Sequence, residues 1–168
     1  MVTRPGTTGK SGRPPGAVGK NYRIEVPGDP VAKARPKATK GKGGFIRVYT
    51  PENSLNYENR VRFAAREMDV RPIDGPVELR ILFCCAAPKH LHKKRKPFQG
   101  GWRDKRPDLD NLVKAVLDGL NTIAYVDDAR VSRISAEKLH APQGLPGKTV
   151  IWISELLLPP TYFPYYDD

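Results

Sequence analysis

Six apolar side chains recur at helical spacing in the second half of the chain, and they constrain the fold more than any other feature. They lie at positions i, i+3, i+4, i+7, i+8 and i+11, as in the buried face of an amphipathic helix: Leu109, Leu112, Val113, Val116, Leu117 and Leu120. Asp108 immediately precedes this stripe, at the place expected for a helix N-cap. A helix with such a face has to pack against a sheet or another helix. The sequence therefore predicts a helix beginning near residue 109 as part of a layered core.

Shorter apolar runs predict the other elements. Alternation and β-branched or aromatic composition indicate strands at residues 22–26, 45–49, 77–86, 131–139 and 148–158, and a second helix is predicted at 52–68. The segments 29–44 and 88–107 are basic and lack a period, so we expect loops there. The resulting order of elements predicts an α+β fold with two layers, a mixed β-sheet covered on one face by two helices.

The two ends of the chain differ in composition from its middle. Residues 1–20 contain five glycines and three prolines with almost no large apolar side chain, so packing cannot offset the entropy cost of ordering them. We predict a disordered basic tail at 1–20, one folded domain at 21–158, and an acidic, aromatic tail at 159–168. Neither a run of 18 apolar residues nor a hydrophobic leader is present, and we therefore expect a cytoplasmic protein that does not interact with membranes.

The positive charge of the chain is concentrated in two segments. The formal net charge is +11, and residues 1–50 carry 11 basic and 2 acidic side chains, while residues 89–106 carry 8 and 1. Such runs repel themselves unless a polyanion neutralises them, which favours a nucleic acid as partner. The candidate phosphate contacts are Lys33, Arg35, Lys37, Lys93, Lys94, Arg95, Lys96 and Arg106.

Four aspartates lie around the predicted helix at 109–120. Asp108 and Asp110 stand at its start and Asp127 and Asp128 in the turn after it; helix capping and turn formation are the simplest explanation. Alternatively, the chain returns after that turn and brings all four carboxylates together. Without a histidine or cysteine among them, such a cluster would suit Mg²⁺ or Mn²⁺.

One lysine of this helix also has two interpretations. Lys114 follows Asp110, and Asp118 follows Lys114, each by one helical turn. The spacing fits a surface ladder of ion pairs, each worth about 0.2–0.5 kcal/mol. It also fits a lysine that contacts a scissile phosphate beside a metal ion.

The run DLDNLVKAVLDGLN, followed by YVDDARV, resembles the signature of the RusA family of Holliday-junction resolvases, which occur in bacteria and their phages. The resemblance covers residues 22–158 in looser form, including the KARPK and VYTP segments. It implies that Asp108, Asp110 and Asp128 bind the metal and that Lys114 is catalytic, with Asp127 in a secondary role. It further implies a RusA-like homodimeric endodeoxyribonuclease that uses Mg²⁺ or Mn²⁺ and resolves four-way junctions in double-stranded DNA by paired symmetric nicks during recombination and repair.

Three other classes of protein fit the sequence less well. A non-catalytic basic nucleic-acid-binding protein would explain the charge but leaves the aspartates without a role. A metal-dependent glycosyltransferase carries its D-x-D on a loop after a strand, whereas here the D-x-D opens a helix. A phosphatase with a D-x-D-x-T pattern is excluded by Leu112.

Overall fold

In the part of the chain that the structure describes, five of seven strands form one sheet, and two helices pack on one of its faces. The computed structural model describes residues 19–40, 45–49 and 51–157. The elements are β1 (Asn21–Pro27), β2 (Lys37–Lys40), β3 (Ile46–Tyr49), α1 (Glu52–Glu67), β4 (Val77–Cys85), β5 (Gly101–Trp102), α2 (Leu109–Leu120), β6 (Val131–His140) and β7 (Lys148–Glu155). Single 3₁₀ turns occur at Lys89–Leu91 and Asp128–Arg130.

The sheet is mixed, with the strand order β1-β7-β4-β6-β5. β7 pairs antiparallel with both β1 and β4, whereas β4 and β6 are parallel. Parallel neighbours require a crossover connection, and here the connection between β4 and β6 contains α2. The crossover therefore determines where the two ends of α2 lie relative to the sheet.

The core lies between the two helices and one face of the sheet. The helices bury apolar side chains at helical spacing, and β4 buries every second side chain, as expected for a strand covered on one side. The fully buried side chains include Val61, Leu79, Phe83, Leu112, Val116, Leu120 and Ile151. This arrangement confirms the predicted α+β, two-layer fold.

α1 and α2 approach each other closely at Gly119. A Cβ atom at this position would lie 2.8 Å from Val61 Cβ and 3.0 Å from the Glu58 carbonyl oxygen. The first distance is shorter than Cβ atoms show in folded proteins and the second is tighter than most, so a side chain here would force α1 to move. Glycine is thus required here because α1 occupies the space of a side chain.

Two predicted loops contain short strands. The segment 29–44 contains β2, which pairs antiparallel with β3 in a separate two-stranded hairpin. The segment 88–107 contains β5, which pairs with the last two residues of β6. Both strands are too short for their own periodicity to reveal them, and they exist because a partner strand lies beside them.

The predicted tails fall almost entirely outside the described residues. Of the segment 1–20, only Gly19 and Lys20 are described. The Lys20 side chain donates to the Pro72 carbonyl oxygen at 2.9 Å, and its backbone N–H donates to the Glu155 carboxylate. Neither α1 nor α2 is long and apolar enough to cross a bilayer.

The register of the strands defines two opposite ends of the sheet. Pro27 pairs with Lys148 and Cys85 with His140 at one end, which we name the cleft end. Asn21 pairs with Ser154 and Val77 with Val131 at the other, which we name the far end. The position of each candidate residue can be given relative to these two ends.

Candidate active site

Asp108 and Asp110 lie at the exposed N-terminus of α2. Asp108 is the N-cap residue, with an extended backbone (φ −71°, ψ 141°), but its carboxylate accepts no capping hydrogen bond. Asp110 lies in the first turn, and both side chains are exposed. Capping therefore does not account for the Asp108 side chain in the described structure, and both carboxylates are available to a ligand.

Lys138 fixes the start of α2 to the cleft end of the sheet. Its Nζ donates to the carbonyl oxygens of Lys105 and Pro107, at 2.8 and 2.6 Å. Because Lys138 is close to the C-terminal end of β6, these bonds tie the segment before α2 to that end. The sequence contains no signal for this role, since Lys138 is one of several lysines on strands and loops.

Arg103 also ties this segment to β6. Its backbone N–H donates to the Lys138 carbonyl oxygen at 3.1 Å, and its guanidinium lies 3.3 Å from His140 Nδ1. Burial lowers the pKa of His140, and the nearby Arg103 charge lowers it further. A neutral His140 can accept this hydrogen bond at Nδ1, which keeps Arg103 beside the loop that precedes Asp108.

A cleft of about 370 Å³ opens next to Asp108. Its walls come from the segment after β1 and from the beginning of α2, and the lining residues are Ala32, Lys33, Arg106, Pro107, Asp108 and Asn111. The two walls are joined by a backbone hydrogen bond of 2.9 Å from the Lys33 N–H to the Asn111 carbonyl oxygen. The cleft thus combines a carboxylate, an exposed guanidinium and a helix N-terminus, which together can accommodate a metal-bound phosphate.

Lys33 forms ion pairs inside the protein. Its Nζ lies 2.6 Å from Glu58 Oε1 and 2.8 Å from Asp118 Oδ2, and Glu58 is buried. Burial lowers the pKa of Lys33, but the hydrogen bonds to Asp118 and Glu58 outweigh it, so the pKa is raised overall. The ammonium that the sequence suggested as a phosphate contact is therefore engaged by two carboxylates.

Lys114 is exposed on the same side of α2 as Asp110. Neither Asp110 nor Asp118 forms an ion pair with it within the described structure, because Asp118 pairs with Lys33 instead. The surface ladder suggested by the spacing is thus absent. The Lys114 ammonium remains available to an anion that approaches Asp110.

Asp127 and Asp128 lie at the far end of the sheet. The Asp127 carboxylate caps the 3₁₀ turn by accepting from the Ala129 N–H at 2.9 Å, which is the simpler role the sequence suggested. Asp128 is exposed and is the first residue of this turn, which directly precedes β6. The Tyr125 hydroxyl donates to the Leu117 carbonyl oxygen at 3.1 Å, so this turn lies beside the C-terminal part of α2. Burial raises the pKa of Tyr125, and the Asp128 and Asp118 charges raise it further.

A single chain therefore does not bring the four carboxylates together. Val131 and Lys138 are separated along β6 by about 23 Å, and Lys138 contacts the segment preceding Asp108. No three acidic, histidine or cysteine side chains among residues 19–40, 45–49 and 51–157 are close enough to hold a metal ion. The expectation of convergence within one chain is wrong because β6 runs parallel to β4, so the turn before it lies at the far end.

Most of the other predicted DNA contacts are exposed near the cleft end. Arg35, Arg106 and the run at 93–96 are exposed, and Lys37 lies in β2. The loop that carries the run is held by Gln143, whose Oε1 accepts from the backbone N–H of Lys93 and Phe98, at 2.9 and 3.3 Å. Since Gln143 follows β6 by three residues, this basic loop and Asp108 share one end of the molecule.

The chain is similar in sequence to a known protein family. Residues 27–152 match the family described as endodeoxyribonuclease RusA. The chain belongs to the RusA family. The match extends from the end of β1 into β7, so it includes both helices and the candidate residues Asp108, Asp110, Lys114 and Asp128. The resemblance seen in the sequence is thereby confirmed.

The chain is also similar to one curated protein over most of its length. The uncharacterized protein YqaN of Bacillus subtilis (strain 168) is 31% identical over 129 residues, which is 72% of this chain and 89% of that protein. Membership of the RusA family identifies the chain as a nuclease of the endodeoxyribonuclease type. The alternative of a non-catalytic nucleic-acid-binding protein does not fit this membership.

Proposed function

We propose that this RusA-family protein is a Mg²⁺-dependent endonuclease that resolves four-way DNA junctions by one nick in each of two opposing strands. The observation that carries the proposal is the start of α2, where the exposed Asp108 lines a cleft together with the exposed Arg106 and Asp110 follows in the first turn. The family supplies the nuclease activity. Metal use, the branched substrate and paired cutting are the parts that we propose.

The residues at the start of α2 fit a hard divalent cation. Asp108 and Asp110 offer only oxygen donors, and Asp108 is not occupied by helix capping. Mg²⁺ is usually held by one or two carboxylates together with water and substrate phosphate, and Mn²⁺ accepts the same donors. Bound there, the ion would polarise the scissile phosphate and lower the pKa of the attacking water.

Lys114 contributes positive charge one helical turn beyond Asp110. An ammonium at that position stabilises charge that develops on the phosphoryl oxygens or on the leaving group. Because Asp118 is paired with Lys33, Lys114 is not drawn toward the C-terminal end of α2. Its ammonium therefore remains exposed and outside the ion pairs of the described residues.

Asp128 joins this site only if a second copy of the chain supplies it. In one chain the residue belongs to the turn before β6 and thus lies at the far end, whereas Asp108 lies beside the cleft. A two-fold axis can place the far end of one chain against the cleft end of its partner, and it does so twice. We therefore propose a homodimer with two shared sites, which matches the two symmetric cuts that a four-way junction requires.

The basic surface at the cleft end provides the DNA-binding affinity. Arg35, Arg106 and the run at 93–96 are exposed around the site, and backbone phosphates are their natural partners. Such contacts give strong, salt-dependent binding that is independent of base sequence. Recognition of the branch itself requires other groups.

The test uses a synthetic four-way junction with the wild-type protein and three variants. We expect paired nicks in Mg²⁺ and none in EDTA, and Asp108→Asn or Asp110→Asn should lower cleavage at least about a hundredfold while junction binding persists. Asp104→Asn is the matched control, since Asp104 is an exposed acid near the same loop. Cleavage of linear duplex at the same rate, or full activity of Asp108→Asn, would disprove the proposal.

A further inference from the structure

The β2–β3 hairpin exposes apolar and aromatic side chains. Phe45 is 80% exposed, Ile46 66%, Val48 64% and Tyr49 43%. The two strands pair only with each other and form a sheet separate from the main one. Four large apolar residues in water on one short hairpin indicate a surface that is covered when the protein functions.

The hairpin begins beside the candidate active site. β2 starts four residues after Lys33, and Lys33 is fixed by its ion pairs and by the hydrogen bond to Asn111 in α2. Ser54 holds the same segment, since its Oγ donates to the Ala32 carbonyl oxygen and accepts from the Ala34 N–H. The base of the hairpin is thereby positioned within about 15 Å of the cleft.

The positive charge of the hairpin segment favours a polyanion as its partner. Between Pro30 and Pro51 the chain has six basic residues and no acidic one. Of the three whose side chains are described, Lys33 is paired with carboxylates, whereas Arg35 and Lys40 are exposed. Two copies of the hairpin would repel each other, so self-pairing is disfavoured. A partner that fits both the positive charge and the exposed apolar side chains is a polyanion with apolar faces. Nucleic acid has this chemistry, because its bases are carried on a phosphate backbone.

We propose that the β2–β3 hairpin is a wedge that enters branched DNA at the branch point, where Phe45 and Ile46 contact unstacked bases. The inference rests on the proposed function and adds to it the recognition of the branch. A two-stranded ribbon fits the major groove of DNA, and apolar side chains can separate adjacent base pairs. Unstacking costs least where pairing is already interrupted, so such a wedge favours a junction over a continuous duplex.

The test compares Phe45→Ala with Phe63→Ala. Phe63 is 63% exposed on α1 and serves as the matched control. Binding is measured in Ca²⁺ without Mg²⁺, with a four-way junction and with linear duplex of the same sequence. We expect Phe45→Ala to weaken junction binding about tenfold or more, to leave duplex binding within about twofold, and Phe45→Trp to restore the junction preference.

A second readout reports the bases directly. A junction with 2-aminopurine at the branch point should gain fluorescence on binding wild-type protein, and Phe45→Ala should reduce that gain. Equal weakening of junction and duplex binding, or an unchanged fluorescence gain, would overturn the wedge. Loss of a dimer in sedimentation of Phe45→Ala would also overturn it, because the hairpin would then bind a second copy.

These measurements do not depend on hydrolysis. If wild-type protein bound junctions through Phe45 but never cut them, the wedge would stand and the proposed resolvase activity would fail. If the Phe45→Ala variant bound and cut junctions as the wild-type protein does, the wedge would fail and the proposed resolvase activity would stand.

Discussion

Asp118 pairs with Lys33 and not with Lys114, although Lys114 precedes it by one turn of the same helix. The Lys33 Nζ lies 2.8 Å from Asp118 Oδ2 and 2.6 Å from Glu58 Oε1. A residue of the basic segment after β1 thus neutralises an acid of α2 and leaves the helical lysine without that partner. The ion pair joins three parts of the chain and keeps Lys114 available at the candidate site.

Lys114→Ala should lower junction cleavage about a hundredfold, because the variant loses charge stabilisation at the phosphate. The free energy of unfolding should change by less than about 1 kcal/mol, since Lys114 is exposed and outside any described ion pair. Single-turnover cleavage and urea denaturation measure the two effects. A large loss of stability with unchanged cleavage would assign Lys114 a structural role.

Mixing Asp110→Asn chains with Asp128→Asn chains should restore single nicks in a cruciform substrate. If each site takes Asp110 from one chain and Asp128 from its partner, a mixed dimer has one intact site and one doubly altered site. Neither variant alone should cut. If both residues of a site came from the same chain, every site in the mixture would be defective and no nicking would return.

Lys33→Met should destabilise the protein by about 2 kcal/mol at pH 8. This loss of stability is smaller than that of a typical broken buried ion pair, which is about 3–5 kcal/mol, because Lys33 is 24% exposed. The pKa of Lys33 is raised in the folded protein by Asp118 and Glu58, so its contribution is complete below the unfolded value of about 10.4 and decreases as the pH rises through the folded pKa.

The measurement for Lys33 is chemical denaturation of wild-type and variant at pH 8 and above pH 11. The difference between them should shrink at the higher pH, and effects of tyrosine ionisation cancel in the comparison. Lys105→Met removes an exposed ion pair with Asp104 and should cost less than about 0.5 kcal/mol at either pH. A difference for Lys33→Met that is independent of pH would show that packing, not charge, is responsible.

Gly119→Ala should lower the free energy of unfolding by about 1–3 kcal/mol. Alanine would otherwise stabilise a helix by about 1 kcal/mol over glycine, so a net loss reports the contact of the new methyl group with Val61 and the Glu58 carbonyl oxygen. Gly75→Ala is the control, since the nearest atom to a Cβ there is 3.7 Å away. A stabilised Gly119→Ala would mean that α1 can shift without cost.

The sequence alone determined the elements whose signal is local. The stripe from Leu109 to Leu120 was sufficient to predict α2, because one buried face imposes its period on a helix. The apolar run at 77–86 was sufficient to predict β4 as a central strand. β2 and β5 escaped prediction because four- and two-residue strands have no period of their own and depend on a partner strand. Lys138 and Glu58 likewise had no local signal, since their partners are distant in sequence.

Tertiary structure decided how the candidate residues are distributed. The sequence indicated Asp108, Asp110, Asp127 and Asp128 as a set, but it did not show that β6 runs parallel to β4. That direction places the turn with Asp128 at the far end and the start of α2 at the cleft end. The same is true of Lys33, whose charge suggested a phosphate contact until Glu58 and Asp118 were found beside it. The chemistry of each side chain can be read from the sequence. Which charged groups come together depends on strand direction and helix packing, and local sequence does not encode these.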